Sequence, residues 1–277
     1  HPAPSDPDQL AVMVSTYWLF HFVGMLVYGP RWLRRAEGLS ILLACYASIA
    51  VFGTRRGHLS AGLWGWKTLC RPAPPISLAL FCVTILAIGS FDGLNETFWW
   101  FGKIGVNPLE YPGRSAVVSE TLMGILIAVP ALIAAYAFSV WLGVRLIHQK
   151  RAFALAVCAL APAILPIALG YHIGHYLPSF LVEIQYVARS FCSNSGLCEV
   201  QVTTGFFKTL ATVRVIWLSQ AGAVVLGHVV AILLSHVLAL RLFGSHRKAA
   251  LSQTPLAIFM ILYTIFGLWL LAAPRGA

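Results

Sequence analysis

The chain has 277 residues, of which 59% are hydrophobic and 10% are charged. Charged residues make up about a quarter of an ordinary soluble domain, so this composition excludes a soluble globular fold. It predicts an all-α, polytopic transmembrane helix bundle whose apolar surface is covered by a lipid bilayer. Basic residues at one membrane surface account for the net charge of +10, so nucleic acid is not an expected partner.

Six apolar segments are long enough to cross a bilayer, for which a helix needs about 20 residues. They comprise residues 10–29, 76–101, 116–147, 153–180, 221–243 and 255–273 of a single integral membrane domain, 1–277. Residues 1–9 form a polar outer tail, and residues 188–218 form an outer loop with a weakly amphipathic segment. Proline removes a helical hydrogen bond, so we expect kinks at Pro130, Pro162 and Pro166.

The apolar segment 38–53 is shorter than the other six. Basic residues flank it on both sides: Arg31, Arg34 and Arg35 before it, and Arg55, Arg56, Lys67 and Arg71 after it. A spanning helix would place one of these clusters on the outer side. We therefore interpret the segment as a helix lying in the inner interface, with a short seventh span as the alternative.

The basic residues predict the orientation of the chain. Thirteen of the 19 Lys and Arg residues fall on the predicted inner side: Arg31, Arg34, Arg35, Arg55, Arg56, Lys67, Arg71, Arg145, Lys150, Arg151, Arg241, Arg247 and Lys248. The other six fall outside: Lys103, Arg114, Arg189, Lys208, Arg214 and Arg275. By the positive-inside rule, we expect a bacterial inner-membrane protein with both termini in the periplasm.

Two cysteines, Cys192 and Cys198, bracket the outer-loop sequence CSNSGLC. A short loop in an oxidising compartment suits a disulfide, so we expect these two residues to be bonded. The other four cysteines lie in apolar or inner segments, without the spacing of a zinc site, and are expected to be free: Cys45, Cys70, Cys82 and Cys158.

Two acids end the second span. Asp92 and Glu96 lie four residues apart, so one helix face presents both side chains. Ionisable residues within a membrane are costly and usually face a cavity or each other. A solvated helix end with a purely structural role is the alternative. Glu120, near the outer end of the third span, lies at a similar predicted depth.

Several histidines are predicted to lie at about the same membrane depth as these acids. His172 and His175 share one face of the fourth span and are flanked by Tyr171 and Tyr176. In the fifth span, His228 lies about two turns from the outer end. Neutral imidazole is a common metal ligand, and hydrogen-bonded core histidines are the alternative.

Two further histidines are predicted to lie elsewhere. His236 is about 12 Å deeper than His228 along the same helix, too deep to share its ion, and is expected to join an inner network with Ser235. His21 lies in the middle of the first span and is expected to be a hydrogen-bonded core residue.

Together these residues predict a metal site in the outer half of the membrane. The ion would be a divalent transition metal (zinc, iron or copper) held by His172, His175 and His228. Asp92 and Glu96 would be catalytic, completing the coordination or acting as general base, as in metal sites of helix bundles. Four residues are expected to support the ligands: Glu120, His236, Tyr171 and Tyr176.

Four stretches of the chain resemble a known family. In order they are SFDGLNET, PIALGYHIGHY, GHVVAILLSHVLALRLF and ALSQTPLAIFMILYTIFGLWLL. They are similar to bacterial membrane proteins known as fenitrothion hydrolases, over roughly residues 90–277 and, more weakly, the first span. The resemblance points to three pairs of residues, Asp92 with Glu96, His172 with His175, and His228 with His236. It implies cleavage of an organophosphate ester. The family often has His where this chain has Asn95, so one potential ligand is missing.

Three functions compete on these observations. A metal-dependent hydrolase would use its ion to activate a water and to polarise a phosphoryl or acyl oxygen of an apolar ester. A non-enzymatic subunit of a larger membrane assembly would use its histidines for packing or for haem. Haem is the weaker cofactor candidate. It needs ligands on opposite faces, such as His172 and His228, and would not require the spacing of His172 and His175. A metal-ion or proton carrier would use a buried chain of acids and histidines.

Overall fold

A computed structural model describes residues 7–55, 57–110, 117–195 and 200–275. Within these ranges the chain is almost entirely helical, and six helical segments are long and apolar enough to cross a membrane. The predicted all-α membrane bundle is therefore confirmed.

The helices, in chain order, are α1 (Pro7–Tyr28), α2 (Arg31–Arg35), α3 (Gly38–Ile49), α4 (Trp66–Leu69), α5 (Ile76–Asn95), α6 (Phe98–Lys103), α7 (Val118–Leu146), α8 (Phe153–Leu160), α9 (Leu165–Ser195), α10 (Leu210–Phe243) and α11 (His246–Ala272). Between α3 and α4, β1 (Phe52–Arg55) and β2 (His58–Ala61) form an antiparallel hairpin, with Phe52 opposite Ala61. The six membrane-length segments are α1, α5, α7, α8 together with α9, α10 and α11.

Two of the predicted spans are interrupted, one at a proline and one at a capped helix start. The fourth crossing changes to a 3-10 turn at Ala161–Ile164, which contains Pro162. The second predicted span is divided, because α5 ends at Asn95 and Thr97 begins α6 by accepting a 3.2 Å hydrogen bond from the Trp100 amide. The α7 helix continues through Pro130.

The outer loop is shorter than the predicted range 188–218. The α9 helix continues to Ser195 and α10 already begins at Leu210. Beyond the bilayer a helix needs no apolar residues, since water solvates its polar side chains. Hydropathy therefore locates the crossing but underestimates the length of the helix.

The predicted interfacial helix, α3, enters the bundle. Its 12 residues extend about 18 Å, less than the ~30 Å of a bilayer core. Ser48 and Ile49 are buried, and the Tyr46 hydroxyl lies 2.6 Å from Nδ1 of His172 on α9. After the hairpin the chain folds back along α3, where the Thr68 hydroxyl donates to the Ser48 carbonyl at 3.2 Å.

Small residues bring α9 and α10 into close contact. A Cβ added at Gly170 would lie within 3.0 Å of the Ala223 carbonyl oxygen, and one at Gly227 within 3.0 Å of the Pro166 carbonyl oxygen. Such small-residue contacts are a common way for membrane helices to associate. They set an antiparallel register between the two helices.

The first helix lies at the periphery of the bundle. Within α1 Gly24 is buried, whereas most of the large apolar side chains are exposed. Trp32 packs over Gly24 and donates a 2.9 Å hydrogen bond to Nδ1 of His21. His21 is thus hydrogen-bonded as predicted, but it is half-buried on a peripheral helix and is not a core residue.

The cysteine predictions are tested in part. Cys45, Cys70, Cys82 and Cys158 are free, as predicted. Cys198 lies outside the described residues, so the disulfide between Cys192 and Cys198 stays a prediction.

Glu37 ties the start of α3 to α1. Its buried carboxylate accepts hydrogen bonds from the amides of Leu39 (2.8 Å) and Ser40 (2.5 Å) and from the Tyr17 hydroxyl. Burial raises the pKa of Glu37, but the hydrogen bonds from Ser40, Tyr17 and the backbone outweigh it and lower the pKa from 4.5 to about 2. The carboxylate is therefore ionised at neutral pH.

We expect Glu37→Gln to destabilise the detergent-solubilised protein by about 1 kcal/mol, because it removes a charged helix cap. The folded-state pKa lies below the unfolded value, so this stabilisation is present above about pH 4.5 and is lost as the pH falls toward 2. The difference in thermal midpoint should therefore shrink below pH 4.5. Glu110→Gln, at an exposed acid, is the control. A difference that stays constant down to about pH 2.5 would contradict the assignment.

Candidate functional site

An aspartate and a histidine meet at the end of the bundle where α5 ends. Oδ2 of Asp92 lies 3.2 Å from Nε2 of His175 and accepts a 2.7 Å hydrogen bond from the Tyr176 hydroxyl. The His175 side chain is 5% exposed and that of Asp92 is 31% exposed. The structure thus brings one acid of the second span to one histidine of the fourth, with the acid nearer to solvent.

Tyr176 contacts both histidines of α9. Its ring centroid lies 4.7 Å from that of His175 and 5.9 Å from that of His172. His172 is held on its other side by the Tyr46 hydroxyl, which lies 2.6 Å from Nδ1. The Nε2 atom of His172 points toward α5, where a Cβ at Gly89 would lie 2.7 Å away.

Two buried polar atoms of this site have no hydrogen-bond partner within the described part of the chain. They are the Tyr171 hydroxyl oxygen and Nδ1 of His175. Both lie beside Gly93: an added Cβ would fall well within 3.0 Å of the hydroxyl and 3.6 Å from Nδ1. An unpaired buried polar group costs about 1–3 kcal/mol, so the two atoms mark a place for a water or a polar ligand.

The partners of His175 determine what its two nitrogens can do. A carboxylate can only accept, so the 3.2 Å contact with Asp92 favours the neutral tautomer that carries its hydrogen on Nε2 and has Nδ1 as the acceptor. The Tyr171 ring stacks on the His175 ring, with centroids 5.8 Å apart and planes 10° apart. A proton acceptor and a hydroxyl donor therefore face the same small space. This arrangement can take up and release a proton.

Glu96, the second predicted catalytic acid, is paired with a cation. It follows the last residue of α5, and its Oε2 lies 3.9 Å from Nη1 of Arg275. Arg275 also forms a backbone bridge with Thr97, and Phe98 donates to the Pro274 carbonyl at 3.0 Å. Glu96 thus helps to join the ends of α5 and α11.

His228 lies deeper than the two histidines of α9. In the α9–α10 register Gly227 packs on Pro166, six residues before His172. Six residues correspond to roughly 9 Å along a helix. Among the described residues, His228 does not belong to a group of three or more ligands that could hold one ion with His172.

The depth of His228 differs from the prediction because of where its helix starts. The prediction counts turns from residue 221, whereas α10 begins at Leu210. Nδ1 of His228 lies 2.8 Å from the Val224 carbonyl oxygen, and its buried Nε2 has no partner among the described residues. His228 is therefore a second buried histidine with an unpaired nitrogen.

His236 belongs to a polar network toward the other end of the bundle. Its Nδ1 lies 2.8 Å from Oε1 of Gln253, whose Nε2 donates to the Ser235 hydroxyl at 2.8 Å. Both Ser235 and Gln253 are buried. The expected association of His236 with Ser235 is present, with Gln253 as the bridge, and His236 does not support the Asp92–His175 pair.

The predicted metal ligands do not come together. Over the described ranges, no group of three or more His, Cys, Asp or Glu side chains is placed to hold one ion. Glu120 accepts a 2.7 Å hydrogen bond from the neighbouring Ser119 and lines a recess with Trp100. The zinc, iron or copper site stays a prediction from the sequence.

Sequence reasoning missed two participants of the site, Tyr46 and Gly93. Tyr46 reaches His172 across 126 positions of the chain, which no local pattern reveals. Gly93 had a usable signal, since Gly89 and Gly93 stand four residues apart on α5. Glycines at that spacing form a helix face that a neighbouring helix can approach closely.

We expect Gly93→Ala to displace the Tyr171 hydroxyl and to lower the thermal stability in detergent by roughly 1–3 kcal/mol. Gly222→Ala is the matched control, because an added Cβ there meets nothing within 4 Å. Alanine favours a helix over glycine by about 1 kcal/mol, so the control should be as stable as the wild type or more stable. Equal thermal midpoints for the two variants would contradict the packing described.

Comparison with known proteins identifies no relative: no family model, no curated protein and no solved structure matches this chain. The resemblance to the fenitrothion hydrolases stays a prediction from the quoted motifs.

Proposed function

We propose that this multi-pass membrane protein carries protons, and that the Asp92–His175 pair is the entry site. The proposal rests on one observation: two buried histidines, each with a ring nitrogen that has no partner among the described residues, lie at successive depths of the bundle. These are His175, beside Gly93, and the deeper His228. Intramembrane ionisable residues commonly mark ion or proton pathways.

The polar groups of the interior supply the steps of such a pathway. Asp92 is partly exposed and contacts the buried His175, so a proton can pass from solvent to the imidazole. By the α9–α10 register, in which Gly227 packs on Pro166, His228 follows roughly 14 Å deeper than His175, and His236 lies about 12 Å beyond it, next to Gln253. These gaps are too long for direct hydrogen bonds, so the proposal requires bridging waters at the unpaired nitrogens.

The charge distribution supports an orientation for this pathway. The basic residues gather at the end of the bundle where α7 and α10 end and α11 begins, including Arg145, Arg241 and Arg247. By the positive-inside rule that end faces the cytoplasm, so the Asp92–His175 pair would face the periplasm of a bacterial inner membrane. An even number of crossings would then place both termini on the periplasmic side.

We expect His175→Gln and His228→Gln each to reduce proton flux at least tenfold, because each removes one titratable step. The measurement uses proteoliposomes with a trapped pH-sensitive dye and an imposed pH gradient. His21→Gln is the matched control, since His21 is bonded to Trp32 on the peripheral α1 and should leave the flux unchanged. Wild-type flux no greater than that of empty liposomes would refute the carrier.

A hydrolase is the second candidate, and the same pair favours it. A histidine oriented by a carboxylate is the usual general base of acyl-transfer enzymes, and the resemblance to the fenitrothion hydrolases implies ester cleavage. A metal-dependent form would need ligands beyond Asp92 and His175, such as His172 after a change of side-chain position or groups of another subunit.

Elemental analysis of the purified full chain separates the two candidates. If the protein is a proton carrier, its content of zinc, iron and copper should be well below one equivalent per chain. The variants His172→Gln and His175→Gln should then have the same metal content as the wild type. One equivalent of metal in the wild type, lost in both variants and retained in His21→Gln, would support the metal-dependent hydrolase instead.

A further inference from the structure

A cavity lies beside α3, far from the Asp92–His175 pair. Its volume is about 460 Å³, and α2, α3, the start of α5 and the turn into α9 line it. The walls are mainly apolar, as at Ile41, Leu78 and Leu165. Leu78 precedes Asp92 by 14 residues on α5, roughly 21 Å along the helix. The cavity is therefore a separate site at the basic end of the bundle.

Two arginines stand at the mouth of this cavity. Arg34 and Arg71 are exposed and line it, and its lining contains no acid. Neither guanidinium forms an ion pair within the described ranges of the chain. Glu37, the acid nearest in sequence to Arg34, already accepts three hydrogen bonds. The mouth thus carries two positive charges that no acid of the described residues neutralises.

A second apolar recess, of about 180 Å³, lies between Arg71 and the end of α10. It shares Arg71 and Pro72 with the first cavity and extends to Leu238 and Leu242. Arg241 also lines it and donates to the Leu69 carbonyl oxygen. Arg71 therefore borders two apolar spaces at once.

We propose that these two recesses bind one anionic diacyl phospholipid, with its phosphate at Arg34 and Arg71 and the first part of one acyl chain in each recess. Charge complementarity decides the occupant. A soluble anion would leave the apolar walls unfilled, and a neutral lipid would leave the arginines without a counter-ion. Guanidinium groups bind phosphate in a bidentate manner, and basic pockets between membrane helices are known sites for acidic head groups.

The surroundings of the mouth fit a lipid ligand. Leu39 and Leu43 of α3 are exposed apolar side chains, so a lipid can reach the cavity from the bilayer. Ser40 and Thr68 line the cavity as well, so its wall beside the arginines is partly polar, although the Thr68 hydroxyl already donates to the Ser48 carbonyl. The site does not involve the proton pathway, so either proposal can fail alone.

Native mass spectrometry of the full chain in detergent tests the proposal. The protein is titrated with phosphatidylglycerol and with phosphatidylcholine of the same acyl chains. We expect at least a tenfold preference for phosphatidylglycerol, because its head group carries a net negative charge, whereas the trimethylammonium group of phosphatidylcholine neutralises its phosphate and is repelled by the two arginines. The double variant Arg34→Gln/Arg71→Gln should lose the preference, whereas Arg34→Lys/Arg71→Lys should keep most of it.

Arg145→Gln is the matched control for these variants. Arg145 lies at the same end of the bundle, over the Trp141 ring at 5.1 Å, and lines neither recess. It should bind both lipids as the wild type does. Ala44→Trp places a large side chain in the first recess and should instead weaken the binding of both lipids to the same extent. Thermal unfolding confirms that each variant is folded.

Two outcomes would overturn the proposal. The first is an equal affinity of the wild type and the folded Gln double variant for phosphatidylglycerol. The second is displacement of phosphatidylglycerol by inorganic phosphate at equal concentration, which would make the arginines a site for the free anion.

Discussion

The close packing of α9 against α10 sets the depths of the buried histidines. Gly170 and Gly227 place each backbone against the facing helix, where a larger side chain would collide. Lipid is as apolar as the side chains, so little hydrophobic force joins two helices in a membrane, and close contact provides the attraction instead. The register that results separates His228 from His172 and His175. It therefore decides that the histidines form a series along the bundle and not one cluster.

The contact between α5 and α9 depends on the same kind of restraint. Gly93 leaves room for the Tyr171 hydroxyl, and this lets His175 reach Asp92. In a medium of low polarity, a charge is tolerated only with a partner or near water. Asp92 has both, since it contacts His175 and Tyr176 and remains partly exposed. A small residue on one helix thus makes a polar pair possible on the next.

The two ends of the bundle use charge differently. At one end each acid has a partner: Asp92 contacts His175, and Glu96 pairs with Arg275. At the other end the arginines outnumber the acids, and the positive charge at the mouth of the α3 cavity has no protein partner in the described ranges. An anionic lipid would supply the missing charge, which connects the basic composition of the chain to a specific ligand.

The sequence by itself determined the membrane segments and the residue pairs that share a helix face. An apolar run of about 20 residues has no stable place in water, and helical periodicity places residues three or four apart side by side. The tertiary structure alone decided which of these faces meet. Depth depends on where each helix begins, and α10 begins at Leu210, eleven residues before the predicted start of the span at 221. Contacts such as Tyr46 with His172 join distant parts of the chain. They arise from packing geometry, which no local pattern of residues encodes.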